Sequence, residues 1–160
     1  MSTPSPRVEM IRDLLESAGI PCEIPKDIMR ELWWKFMMNV GVNQTSAILR
    51  APYGVYARSQ TARDLMRDAC VEVVRIAEKA GIPLVEADVD ICFNILSGLS
   101  PDKKTSMLQD VEACRKTEVD VFAGAVIRLG QEYGVETPVN QVLYKMIKII
   151  EENYPGETPA

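Results

Sequence analysis

Apolar residues recur three and four apart through most of the chain, the spacing of amphipathic helices. No stretch shows the period-two alternation of a strand bounded by hairpin turns. One segment stands out. Between Leu32 and Asn43 the only polar side chains are Lys35, Asn39 and Asn43. They are four apart, so on an α-helix they fall in one stripe, within about 80° of one another. Ile28 and Leu32 precede them on the same face. A helix that is apolar nearly all round is usually buried, so burial is expected here. The lysine and asparagines are then either satisfied internally or aimed at a ligand.

The remaining elements are set by caps and breakers. The spacing of Val8, Ile11, Leu14 and Leu15 predicts a helix over 7–18, closed by Gly19. Residues 1–6 and the tail 154–160 are expected to be loose. Pro21 and Pro25 make 20–25 an extended connector. The central helix starts near Lys26 or Asp27 and runs to about Leu49. Pro52 and Gly54 predict a loop over 50–56. Ser59 is the N-cap expected for a helix over 60–80, ended by Gly81 and Pro83. Shorter helices follow over 87–96 and 106–113. Thr117 opens the next, which reaches Tyr133 before Gly134. Thr137 and Pro138 start the last, proline at the first helical position. The fold class is therefore all-α, a compact bundle of six or seven helices without an internal repeat.

Composition narrows the functions. A chain of 160 residues is long enough for one domain with a real core. The net charge of −5 and the lack of a basic run argue against nucleic acid as partner. The run from Leu32 to Val42 is too short and too polar to span a bilayer. The N-terminus lacks the apolar region of a secretory signal. Cys22, Cys70, Cys92 and Cys114 are widely spaced, and the chain has 0 histidines, so no metal site is expected. Cys70 and Cys92 fall in apolar helical patterns and read as small core residues in a reducing compartment, which makes the cytoplasm the expected location. Without histidine, any acid–base chemistry falls to lysine, aspartate or glutamate.

Three places could carry such chemistry. In the stripe, burial would lower the pKa of Lys35 and suit it to proton donation near neutral pH. Asn39 and Asn43 would present donors and acceptors to a carboxylate, carbonyl or hydroxyl. Against this, Lys35 can snorkel to water or pair with an acid, and the asparagines can bond helix ends. The second place is Thr105 and Ser106, which follow Lys103 and Lys104 at a helix start. They can bind an anion through the free N–H groups, or one can simply cap the helix. The third is Glu118, placed by the predicted helix on the face of Phe122, Ala125, Val126 and Leu129. It either serves a ligand or complements the helix dipole behind Thr117, with Asp120 completing a cap.

Taken together these residues resemble one family. Leu32-Trp33-x-Lys35-x-x-x-Asn39-x-x-x-Asn43, followed by Ser46-Ala47, is similar to the helix that opens the C-terminal domain of ketopantoate reductases (2-dehydropantoate 2-reductases). Residues Thr105 to Val111, then Thr117-Glu118-Val119-Asp120 with Gly124, resemble its second signature. Thr137-Pro138-Val139-Asn140 and the apolar last helix resemble its end. The resemblance covers about 19–154, within a single domain spanning 1–160. It implies the helical fold of the C-terminal domain of 6-phosphogluconate dehydrogenase-type oxidoreductases. It also implies an NADP-dependent reduction of 2-dehydropantoate to pantoate, a step of pantothenate biosynthesis. By position, Lys35 is the implied catalytic lysine. Asn39, Asn43, Thr105 and Ser106 are implied to bind substrate, and Glu118 to meet cofactor or substrate at the domain junction. The family's N-terminal Rossmann domain, which holds NADP, has no counterpart in this sequence. The chain is thus expected to be inactive by itself, as an excised or naturally truncated C-terminal domain. Two alternatives stay open: a stand-alone helical binding or dimerisation module, and the same domain of a reductase for another 2-keto acid. A homodimer is an open assembly in each case.

Overall fold

Asp27 ends the extended connector and caps the helix against which the others pack, its carboxylate accepting from Arg30 N at 3.0 Å. The structure, a computed structural model, describes residues 4–155. Those residues form α1 (Pro6–Ser17), α2 (Ile28–Leu49), α3 (Gly54–Arg58), α4 (Gln60–Lys79), α5 (Ala87–Ser97), α6 (Ser106–Glu112), α7 (Ala123–Tyr133) and α8 (Pro138–Glu152). The all-α expectation holds, with eight helices among the described residues rather than six or seven.

The extra element is α3, which lies where a loop over 50–56 is predicted. Tyr53 N and Gly54 N donate to Lys103 O and Pro101 O at 3.0 and 2.9 Å. The chain is thereby fixed just beyond Pro52, and Tyr56 drops into the core, its hydroxyl 2.7 Å from Thr45 Oγ1. Burial pushes the Tyr56 phenol up to about 12, so it stays neutral. At the other end of the chain's order, Ser5 and Pro6 belong to α1, with Ser5 as its N-cap. Residues 1–3 and 156–160, expected to be loose, lie outside the described residues.

The expected burial of α2 holds for only half of it. From Met37 to Ala47 the helix is enclosed by α4, α6 and α8. Its first turns are open, with Ile28 and Leu32 55% and 56% exposed. The other helices gather on its second half. α4 crosses it at Gly41, where an added Cβ would overlap Cys70 Sγ and reach within 3.0 Å of Met66 Cγ. Gly41→Ala is therefore expected to destabilise the fold by about 1–3 kcal/mol, because the crossing must open. Thermal unfolding followed by circular dichroism measures this, and an unchanged midpoint would show that the crossing yields freely.

A buried polar chain ties three helices together. Glu72 of α4 accepts from Val139 N and Asn140 N at 2.7 and 3.0 Å, so it caps α8 from across the core. Asn140 Nδ2 donates to the same carboxylate at 2.7 Å, and Asn140 Oδ1 accepts from Gln44 Nε2 at 3.1 Å. Thr137 precedes α8 as expected but makes no capping bond through its side chain. Cys70 and Cys92 are buried thiols, as read from their apolar surroundings. No helix among the described residues is long and apolar enough to cross a membrane.

Candidate functional site

The polar stripe of α2 runs from solvent into the core. Lys35 is exposed, Asn39 is half-buried and Asn43 is 7% exposed. Of the two readings open for Lys35, the exposed one holds: its side chain reaches solvent, although α5 lies beside this half of α2 and Trp33, Trp34 and Phe36 pack against the core. One side of the lysine is lined by α5. Burial, with Asp88 next, drives the Cys92 thiol up to about 12, and the Lys35 charge pulls the other way. The start of the stripe is anchored to that helix as well. Arg30 Nη2 donates to Asp88 Oδ1 at 2.6 Å, and Asp88 also accepts from Val85 N at 2.9 Å.

The far end of the stripe meets α6. Ser106 Oγ donates to Asn43 Oδ1 at 3.4 Å, joining positions 63 residues apart in sequence. Thr105 and Ser106, adjacent in the chain, face opposite ways. Thr105 is buried, accepts from Leu108 N at 3.2 Å and donates to Ser46 Oγ at 3.1 Å. Ser46 in turn donates to Ala51 O at 2.7 Å. Thr105 is thus the helix cap, the second of the two readings that the sequence leaves open for this pair. Ser106 alone is exposed. Lys104 is engaged with Glu112 at 2.8 Å.

Glu118 lies elsewhere than predicted. α7 begins at Ala123, so 117–122 is irregular and no helical face places Glu118 among Phe122, Val126 and Leu129. Its side chain is exposed. The helix does not start at Thr117 because that residue is committed to α8. Its backbone N and its Oγ1 both donate to Glu151 Oε1 at 2.7 Å. Asp120 does not cap either, since it accepts from the Tyr144 hydroxyl at 2.7 Å.

These bonds carry a pH dependence. Burial works to raise the Glu151 carboxyl, but bonds from Thr117 and Lys148 outweigh it and hold it below the usual range. The Tyr144 hydroxyl, against burial and with help from Lys148, lowers Asp120 likewise. A carboxyl depressed on folding adds stability above its unfolded pKa and loses it as pH falls through the folded one. Stability is therefore expected to fall on acidification below the ordinary carboxylate range. In Glu151→Gln that slope should be shallower, read from unfolding midpoints across a pH series. An equal slope in the variant would mean that Glu151 is not responsible.

Lys35, Asn39, Asn43 and Ser106 are the candidates that the sequence offers on this side, and α2 carries further polar residues that the stripe does not single out. Gln44, Thr45 and Ser46 are fully buried, and each is bonded within the core. The signal was available, since four consecutive polar residues from Asn43 to Ser46 interrupt an otherwise apolar helix.

The described residues contain no strand, hence no glycine-rich turn between strand and helix of the kind that receives a pyrophosphate. They also contain no group of histidine, cysteine and carboxylate side chains able to hold a metal ion.

The fold is that of the helical domain found in a set of two-part reductases. A ketopantoate reductase from Ralstonia eutropha matches with a TM-score of 0.82 at 28% identity, over 93% of this chain and 50% of that one. A dimeric ketopantoate reductase from Staphylococcus aureus shares the fold, with a TM-score of 0.82 at 24% identity, over 94% of this chain and 53% of that one. The family model described as ketopantoate reductase PanE/ApbA C terminal matches residues 27–151, and the chain belongs to that family. In sequence, the 2-dehydropantoate 2-reductase of Pyrobaculum aerophilum is 34% identical over 141 residues, which is 88% of this chain and 50% of that protein. The chain thus spans about half the length of such relatives.

Proposed function

We propose that this chain supplies the substrate-binding and proton-donating half of an NADP-dependent 2-dehydropantoate 2-reductase. The observation that carries the reading is the open shelf on α2, on which Lys35, Asn39 and Asn43 share one face and Ser106 closes the far end at 3.4 Å from Asn43. Eight residues of helix make that shelf about 12 Å long, enough for a small branched 2-keto acid. Ser106 Oγ and the Asn43 amide sit where a substrate carboxylate would lie. Asn39 orients the carbonyl. Lys35 polarises the ketone oxygen and gives its proton to the alkoxide that develops there. Thr105 holds the turn that aims Ser106 rather than touching substrate. Glu118, exposed in the turn before α7, would meet the cofactor, a role that rests on the family resemblance.

The dinucleotide, which supplies the hydride, is held by the part of the relatives that lies outside the matched residues. The exposed Ile28, Met29 and Leu32 beside Lys35, and α1 with no buried residue, suit contact with such a region. Closure of that region over the shelf would exclude water and strengthen the pull of Lys35 on the alkoxide. The assembled enzyme is a homodimer, as the staphylococcal reductase of the same fold is. A second reading, a reductase for a different 2-keto acid, is favoured by one feature. At the end of the shelf beyond Lys35, Ile28 and Leu32 are 55% and 56% exposed, so the acyl group would meet an open apolar surface there.

The experiment is to fuse this chain behind the dinucleotide-binding half of the Pyrobaculum reductase and follow NADPH oxidation with 2-dehydropantoate. Turnover with that acid is expected. A folded, NADPH-binding fusion that is inert towards it but active on another 2-keto acid would favour the second reading.

A further inference from the structure

Just past Asn43, α2 carries a buried hydroxyl that the shelf itself does not use. Ser46 is fully buried, and its Oγ accepts from Thr105 Oγ1 at 3.1 Å and donates to Ala51 O at 2.7 Å. Asn43 and Ser46 lie about one turn apart on α2, and Thr105 and Ser106 are adjacent at the start of α6. Two rungs therefore join the same two helices. The open rung is Ser106 to Asn43, at 3.4 Å, and the buried rung is Thr105 to Ser46.

The buried rung has only one arrangement of protons. A hydroxyl carries a single proton. The Ala51 carbonyl can only accept, so the Ser46 proton points there. Thr105 must then donate to Ser46, and its lone pairs face Leu108 N, which can only donate. The rung thus includes the cap of α6. It also belongs to a closed ring. Beyond Ala51, Tyr53 N and Gly54 N donate to Lys103 O and Pro101 O, and the chain from Pro101 leads back to Thr105. The ring has little slack, since a Cβ added at Gly54 would stand 2.8 Å from Pro101 Cβ and 3.1 Å from Pro101 O. The open rung is a single long bond from an exposed serine, which water can replace at little cost. The position of Ser106 is therefore set from below, by the ring.

We infer that Ser46 is a positioning residue of the shelf, which acts through Thr105 to hold Ser106 against Asn43 where a substrate carboxylate would lie. The inference rests on the substrate reading given above for its kinetic consequence but not for its structural one, and the two fail separately. A wrong substrate leaves the ring holding Ser106, and a wrong ring leaves turnover in the fusion.

In the fused reductase, Ser46→Ala is expected to raise KM for 2-dehydropantoate about tenfold, the loss of one hydrogen bond to a carboxylate, with kcat little changed. Ser106→Ala removes the group through which Ser46 acts. In that background Ser46→Ala should change KM by less than about twofold. A serine that served stability alone would lower the unfolding midpoint and leave KM where it is, or raise KM alike in both backgrounds. Gly54→Ala presses on the ring from its far side without taking a hydrogen bond from the core, and it should raise KM severalfold, again only where Ser106 is present. That variant keeps the test decisive if Ser46→Ala misfolds. The structural consequence is read by nuclear magnetic resonance on the full chain without substrate. A proximity cross-peak between the Asn43 side-chain amide and the Ser106 Cβ protons is expected in the wild type and should be lost in Ser46→Ala and weakened in Gly54→Ala. If the fusion does not turn over 2-dehydropantoate, the substrate reading falls and the cross-peak decides for or against the ring. The positioning role is overturned by a cross-peak that survives at full strength in both variants, by a KM within about twofold of wild type in both, or by a rise in KM that is equal without Ser106.

Discussion

Lys35→Ala in the fused reductase is expected to lower kcat by about 10²- to 10⁴-fold, the usual contribution of a positioned proton donor. KM for the keto acid should change much less, because Asn39, Asn43 and Ser106 still hold the substrate. Lys35→Arg should recover little of the rate, since a guanidinium keeps its proton and cannot pass it to the alkoxide. Steady-state kinetics near neutral pH distinguishes the outcomes. An unchanged kcat in Lys35→Ala would remove the lysine from the chemistry and leave the shelf as a binding surface only. The size of the expected loss follows from position. Lys35 is the one cation on the α2 face shared with Asn39 and Asn43.

The largest effect on stability is expected from Glu72→Ala. The carboxylate takes three bonds, from Val139 N, Asn140 N and Asn140 Nδ2. Its removal strands the first N–H groups of α8 inside the core and leaves the Asn140 amide, on which Gln44 leans, held by Ala69 O without the carboxylate. Leaving such donors unpaired costs about 3–5 kcal/mol. For a chain of this length that is roughly 6–20 °C in the unfolding midpoint. Glu72→Gln keeps shape and an acceptor, so a smaller loss is expected. A midpoint within a degree or so of wild type for Glu72→Ala would show that the α8 cap is made by water or by Thr137 instead.

Why these two residues were unequally visible in the sequence is instructive. Lys35 stands out because a charge interrupts an apolar helix and repeats with Asn39 and Asn43 at the helical spacing. Glu72 does not, because its partners lie 67 and 68 residues away and no local pattern links them. The same division runs through the fold. Helix starts set by a neighbour were legible: Asp27, Ser59 and Thr105 each cap the helix that follows them. Thr117 resembles those caps in sequence, but its hydroxyl and N–H go to Glu151 on α8, and α7 starts six residues later. That distant bond is what moved Glu118 from a helix face to an exposed turn. α3 was missed because Pro52 and Gly54 are breakers locally, while the bonds that make a helix possible there come from Lys103 and Pro101.

The burial of α2 departs from its sequence pattern for a related reason. Apolar character all round shows that a helix seeks cover, not that the same chain provides it. Met37 to Ala47 find α4, α6 and α8, whereas Ile28, Met29 and Leu32 remain open. Within the candidate site, the pairing of Asn43 with Ser106 was readable only through the family resemblance. The periodicity of α2 says nothing of a residue 63 positions further on.

On the proposed reading, a small 2-keto acid lies along the α2 shelf between Lys35 and Ser106. Nuclear magnetic resonance tests it on the chain alone, by titrating 2-dehydropantoate into isotope-labelled protein. Saturable shifts are expected at the side-chain amides of Asn39 and Asn43, at the Ser106 backbone amide and at Lys35 Nζ, while Cys114 and the exposed Val142 and Met146 of α8 stay still. Shifts that gather elsewhere, or a shelf that does not respond while the acid binds, would contradict it.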